Sequence, residues 1–337
     1  MSHTLKARYP SNIALVKYWG KYGNQLPCNP SLSMTLDKAY TQLQLTLSEK
    51  HNHQIEFEYY FEDKLNEKFG DRVLRYLQGQ KEFSSLLEDY ALRLESHNSF
   101  PHSAGIASSA SAFSAISAVF LHAANPTLSQ NDFNRQASHL ARLGSGSACR
   151  SFYDSYVLWG HLEEIPESSN EYAVPLHEIH DNFRSMRDSI LIIDEQPKLV
   201  SSSMGHRLMK NHPYAPARFR QGKEHSKKMI VTLKNGDFDA FISIIEREAL
   251  TLHAMMMTSV DYYLLIKPGT VFMMEQIFQF RKETGLPICF TLDAGPNLHL
   301  LYPENIESEV QDFLEGYLQT HIKSIINDRI GLGGSVN

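Results

Sequence analysis

The sequence predicts an α+β fold, and three observations carry that reading. Strand-like alternation and helical periods follow one another without the strict strand–helix alternation of a doubly wound sheet. At 337 residues, 42% of them hydrophobic, the chain can bury a sizeable core and has the length of about two domains. Between 163 and 187 the chain turns polar and loses its period, and the apolar run SILIID then restarts it. The expected division is therefore near 185, into domains 1–185 and 186–330.

Taken in order, TQLQLTLSE (41–49) sets Leu43, Leu45 and Leu47 on one side with polar residues between them. QIEFEYYF follows a polar HNH, so two adjacent strands are expected, then a mixed helical region over 63–95. The small-residue stretch PHSAGIASSAS (101–111) runs into a helix where Phe113, Ile116 and Phe120 recur at i, i+3 and i+7. Ser129, with Asp132 three residues on, caps the next helix, which is expected to end in a left-handed cap at Gly144. GSGSACRSFYDSYVLWG leads back to strand-like sequence. After SILIID come helices around 214–235, 237–257 and 268–284, then the strands ICFTL and LHLLY about the turn DAGPN. The tail GLGGSVN reads as frayed.

A formal charge of −6 argues against nonspecific nucleic-acid binding, which needs a basic surface to release counterions. No apolar run nears the about 20 residues of a membrane helix, and MSHTLKARYPSN lacks a signal peptide's apolar core. A cytoplasmic protein without a membrane partner is expected. Cys28, Cys149 and Cys289 are far apart and read as free thiols, and the sixteen histidines show no HExxH spacing.

Four stretches carry candidate chemistry. In PHSAGIASSAS, Gly105, Ala107, Ser108 and Ser109 leave the amides at a helix start open to an anion, and a serine there can ligate magnesium. No GK[ST] follows, and alone the stretch is more often an ordinary Ser/Ala helix start. GSGSACR (144–150) repeats the recipe and adds an arginine whose fork suits a carboxylate or phosphate; a flexible linker is the plain alternative. SNIALVKYWGKYGN sets Lys17 and Lys21 in a loop where both amines could meet one polyanion, or be a solvated pair beside a core Trp19. TLDAGPN ends a strand with Asp293, either a reactive carboxylate or a turn former.

Together, NIALVKYWGK, NPSLSMTL, FPHSAGIASSAS, GSGSACRS and FTLDAGPN, in this order across residues 12–300, resemble the diphosphomevalonate decarboxylases of the GHMP small-molecule kinase superfamily. The resemblance implies an N-terminal domain like ribosomal protein S5 domain 2, a ferredoxin-like C-terminal domain, a cleft between them, and a homodimer. It implies ATP and Mg2+ as co-substrate and metal, phosphorylation of the tertiary hydroxyl of 5-diphosphomevalonate, and loss of phosphate and carbon dioxide to leave isopentenyl diphosphate. Asp293 is then the catalytic base, Lys17 its charge partner, and Arg150 the clamp on the substrate carboxylate. Substrate contacts carried over are Asn12, Tyr18, Trp19, Gly20, Lys21, Ser145, Gly146, Ser147, Ala148, Cys149 and Ser203. ATP contacts are Pro101, Ser103, Ala104, Gly105, Ile106, Ala107, Ser108 and Ser109, with Ser108 on the metal. Pro30, His102, Ser203 and His206 depart from the family pattern, and Arg72 and Arg75 both fit a further substrate arginine. Rival readings are a decarboxylase of mevalonate 5-phosphate, a kinase that stops after phosphorylation, and a silent nucleotide-binding homologue.

Overall fold

The computed structural model describes residues 2–101, 106, 108–196 and 202–337, the side chains of Ser202 and Ser203 excepted. The first half contains β1 (His3–Val16), β2 (Lys21–Tyr22), β3 (Leu26–Pro27), β4 (Ser31–Glu49), β5 (Phe57–Phe61), β6 (Lys64–Leu65), α1 (Glu67–Gln78), α2 (Ser84–Asp89), β7 (Tyr90–Asn98), α3 (Ser108–Ala124), α4 (Gln130–Gly144), β8 (Tyr156–Trp159) and β9 (Ala173–Pro175). The second contains β10 (Met186–Ile192), α5 (Ser202–Leu208), α6 (Ala215–Asn235), α7 (Phe238–Met257), α8 (Pro268–Thr284), β11 (Cys289–Leu292), β12 (Leu298–Pro303), α9 (Glu307–Glu315), β13 (Ser324–Arg329) and β14 (Ser335–Val336). The architecture is α+β.

The first sheet runs β14-β1-β4-β7-β5-β6, with β8 paired to the early part of β4 and β9 beyond it. β1 and β4 form a long antiparallel pair whose register slips between Pro10 and Asn12 and again between Ala14 and Val16. Proline cannot donate to the ladder, so a bulge follows it, and the bulge turns the strand. Up to Arg8 the strand is largely exposed, Ala7 excepted; from Tyr9 to Val16 every residue is buried, because α3 covers one face and α6 and α7 reach the other. That crossing carries β1 into the space between the two halves.

Three expectations for this half need correction. The strands at 41–49 and 57–61 are not neighbours: β7 lies between them, antiparallel to β4 and parallel to β5. The stretch 63–95 is helical only to Asp89, since Leu92, Leu94 and Ser96 alternate inward against Arg93, Glu95 and His97 as strand β7. Gly144 is the last helical residue of α4 and is not left-handed; Ser145 after it is extended at φ −154°. A Cβ at Gly144 would lie 2.1 Å from the Phe113 ring, so close packing is what demands glycine there. Ser129 caps α4 as expected, its Oγ accepting the Asp132 N–H at 3.3 Å.

The second sheet is antiparallel, ordered β11-β12-β10-β13, and packs against α8 and α9 through Leu191, Met273, Ile277, Phe290, Leu300 and Val310. Between the two sheets one apolar cluster is built jointly from Ile13, Leu15, Leu32 and Met34 of the first half and Met186, Ile190, Phe241 and Ile245 of the second. Asp328 on β13 reinforces this seam by accepting N–H bonds from Asp37, Lys38 and Ala39.

The tail is not frayed. β14 pairs with β1, Gly331 N–H donates to Thr35 O, and Gly334 N–H donates to Ser151 O. Its glycines are needed for that approach: a Cβ on Gly331 would lie 2.5 Å from the Leu36 carbonyl.

Candidate active site

Lys17 is the first residue after β1 and Asp293 the first after β11, so two strand ends from opposite halves supply them. Their side chains meet: Lys17 Nζ lies 2.9 Å from Asp293 Oδ1, with the lysine 2% and the aspartate 25% exposed. Burial lowers the pKa of Lys17, and the charge and hydrogen bond of Asp293 act against that shift. The loop carrying Asp293 is held on several sides. Gly295 N–H donates to the Asp293 carbonyl, Thr270 Oγ1 donates to Pro296 O, and Asn297 Oδ1 accepts the N–H groups of Ile193 and Asp194.

Arg150 lies in the 3-10 segment Gly146–Phe152 and is buried. Nε donates to Asn12 Oδ1 at 3.0 Å, and Nη1 donates to Ser31 Oγ. Asn12 passes the constraint on, with Nδ2 donating to Ser151 Oγ at 2.9 Å and to Ser147 O at 3.3 Å. Two edges of the guanidinium are thus fixed, and Nη2 has no hydrogen bond among the described residues. Burial lowers the pKa of Arg150 while the Asp293 charge raises it, and Arg150 in turn lowers Lys17. The three charged groups therefore share one electrostatic neighbourhood.

Tyr18 is walled by Trp159 and His206, with ring centroids 4.6 Å and 4.2 Å away, and sits against Gly146, where a Cβ would meet its ring at 2.9 Å. Its hydroxyl is buried with no hydrogen-bond partner among the described residues. Such an orphan is costly unless a ligand or water satisfies it. Gly20 has φ +91°, and its N–H donates to His206 Nδ1 at 3.1 Å. Burial pushes His206 down to about 3, so the ring is neutral, accepts at Nδ1 and carries its proton on Nε2. The departure at His206 thus has a structural role: a methionine there would supply no comparable acceptor for Gly20.

Lys21 donates to Gln25 Oε1 at 2.6 Å, and its pKa is lowered by burial and then by Arg207 and Arg72. Lys17 pairs with Asp293 while Lys21 stands among these arginines. Arg72 donates to Gly144 O at 3.2 Å and lies over the Phe113 ring, beside Ser145; Arg75 Nε bonds Asp71 of its own helix. Ser145 Oγ and Ser109 Oγ are 3.2 Å apart, joining the first turn of α3 to this wall. Trp19, Ala148 and Cys149 are enclosed in apolar packing, Ile106 is buried and Pro101 exposed. His102, Ser103, Ala104, Gly105, Ala107 and the Ser203 side chain lie outside the described residues.

Among the described residues no three His, Cys, Asp or Glu side chains could hold a metal together.

Residues 9–171 match the diphosphomevalonate decarboxylase-like N-terminal domain, and residues 189–330 match the mevalonate 5-diphosphate decarboxylase C-terminal domain. The chain belongs to the diphosphomevalonate decarboxylase family. The diphosphomevalonate decarboxylase of Gibberella zeae is 30% identical over 325 residues, spanning 88% of this chain and 80% of that relative. Mevalonate diphosphate decarboxylase from Staphylococcus aureus has a TM-score of 0.86 at 29% identity, covering 100% of this chain and 98% of the other. MDDEF in complex with MVAPP, AMPPCP and magnesium gives 0.84 at 26%, covering 100% and 99%. The α+β fold expected from the sequence is the fold of these decarboxylases.

Residues that the sequence left unassigned also touch the candidate site: Ser31 under Arg150, and Arg218, Glu248 and His253 behind Lys17 and Asp293. A signal existed for Glu248, since it falls on the α7 stripe of Phe241, Ile245 and Leu252, where an apolar residue is expected.

Proposed function

We propose that this chain uses ATP to convert 5-diphosphomevalonate into isopentenyl diphosphate, ADP, phosphate and carbon dioxide. The observation that carries the reading is the convergence of the Lys17–Asp293 pair with a buried, pre-aimed Arg150. Asp293 accepts the proton of the tertiary hydroxyl late, as that oxygen attacks the γ-phosphorus of ATP; a loose transition state needs orientation more than a strong base. Lys17 offsets the negative charge gathering there. Arg150 holds the carboxylate through its free edge. When the new phosphate ester leaves with its bonding pair, the electrons of the breaking C–C bond form the alkene and carbon dioxide departs. Magnesium neutralises phosphate charge during the transfer.

Lys21, Arg72 and Arg207 supply positive charge suited to the diphosphate, and the Tyr18 hydroxyl a donor within the same wall. Ser108 and Ser109 at the start of α3 would face the ATP phosphates. Ser203, whose side chain lies outside the described residues, is carried over from the resemblance alone as a further substrate contact. Among the described residues no helix is long and apolar enough to cross a membrane. We infer a cytoplasmic homodimer whose subunit divides into domains near 185, where β10 begins.

The test is product analysis with ATP, magnesium and either 5-diphosphomevalonate or its monophosphate. One carbon dioxide per ADP with the diphosphate supports the reading. ADP without carbon dioxide makes the chain a kinase, and a preference for the monophosphate makes it the sibling decarboxylase.

A further inference from the structure

Lys17 is gripped along its main chain as well as at its amine. Its N–H donates to Glu248 Oε2 at 2.8 Å, and its carbonyl accepts from Arg218 Nη2 and from Asn29 Nδ2, each at 3.1 Å. Arg218 holds both oxygens of Glu248, at 3.0 Å and 2.5 Å, and His225 Nδ1 lies 2.6 Å from Glu248 Oε1. The Arg218 and Glu248 side chains are both fully buried. Burial alone would push Glu248 up, but Arg218, His225 and the Lys17 N–H outweigh it and hold the carboxyl below its usual range.

Five residues further along α7, His253 Nε2 lies 3.1 Å from the Asp293 carbonyl oxygen. That oxygen can only accept, so Nε2 carries the proton, and burial pushes the ring down to about 4, keeping it neutral. One helix thus holds the backbones of both members of the ion pair. Lys17 and Asp293 sit just past the ends of strands in different sheets, so no shared ladder fixes one against the other. A buried charged pair is seldom more stabilising than apolar side chains of the same volume. The fully buried Arg218–Glu248 pair therefore points to a role other than stability.

We propose that Glu248 and His253 are positioning residues that set the separation and charge balance of Lys17 and Asp293. The proposal rests on the functional reading above, in which that pair performs the phosphoryl transfer. The charged and titratable groups around the Lys17 amine are Asp293 from the β11–β12 loop, Arg150 from the 3-10 segment, Glu248 and His253 from α7, and Arg218 and His225 from α6. Asp293 and Glu248 raise its pKa and Arg150 lowers it. Glu248→Gln removes a negative charge, so Lys17 gives up its proton at lower pH and the alkaline limb of kcat moves down in pH.

The experiment compares wild type, Glu248→Gln, His253→Ala and His253→Gln in turnover and crystal structure. His253→Ala is expected to lose about 10²-fold in kcat, as an ångström of misplacement does, with KM for both substrates held within about threefold. His253→Gln, whose amide can donate to the same carbonyl, recovers most of the loss. In the alanine variant the Lys17–Asp293 contact opens beyond 2.9 Å. Because Glu248→Gln strands Arg218 and can unfold the chain, the histidine variants decide. A His253→Ala protein with wild-type turnover and an unchanged contact overturns the proposal. If wild type itself releases no carbon dioxide, the functional reading fails, and the crystallographic contact alone then judges the role of α7.

Discussion

The Asp293 carboxylate keeps a quarter of its surface open while its lysine partner is closed off, so the pair presents the proton acceptor to a substrate and hides its counter-charge. Asp293→Asn keeps the shape and removes the proton acceptor. Turnover should fall by about 10²–10⁴-fold while KM stays within about tenfold, as steady-state kinetics will show. Arg150→Lys loses the fork that spans Asn12 and Ser31, and turnover should drop at least about 10-fold, one charged hydrogen bond's worth. His206 and His253 are buried neutral, with pKa values near 3 and 4 against an ordinary 6.5. Between those limits the unfolded chain binds more protons than the folded one, so stability is full above about pH 6.5 and declines as pH falls, by about 3–5 kcal/mol per histidine below both values. Urea titrations at pH 7 and pH 5 should show the decline, and His206→Met should flatten it. Lys17, Arg150 and Asp293 were legible because each sits in a short motif of distinctive composition. Glu248, Arg218 and His253 were not: Glu248 on the apolar stripe of α7 looks like an interruption until the helix is seen against its neighbours, and nothing local in the sequence marks Arg218 or His253.

Among the elements, α3 shows how composition sets position. It is buried from Ala110 through Leu121, and its serines return their hydroxyls to the helix, Ser114 to Ala110 O and Ser117 to Phe113 O, so they bring no unmet polar group into the core. Alanine and serine keep the helix slim enough to lie between β1 and α4. Gly144 continues the same economy of space. Gly144→Ala would push on Phe113 and, through it, on Arg72, whose guanidinium rests 4.8 Å over that ring. Overpacking of this kind costs about 1–3 kcal/mol, read as a lower urea midpoint, and KM for the diphosphate substrate should rise as Arg72 shifts. The helices with clear periods were legible at nearly their true bounds. β7 was missed because its alternation over Leu92 and Leu94 follows directly on helical sequence, and strand order depends on partners far away in the chain.

For the whole molecule, the proposed boundary near 185 is only part of the organisation. The chain recrosses it at the end, where β14 joins β1 and Gly334 N–H binds Ser151 O, one residue from Arg150. Deleting residues 331–337 should lower Tm by about 5 °C or more and reduce turnover, both measurable on the same preparation. The polar stretch before 185 is what the sequence offers for the proposed division, but sequence alone could not show that the halves share a core, since that depends on which faces meet. The sharing of Ile13, Leu15 and Met34 with Met186, Phe241 and Ile245 has a practical side. A gene cut at that boundary would encode two fragments, each with a raw greasy face prone to clumping. A chimera that grafts one half onto a distant relative would work only if the mating surface were transplanted along with it.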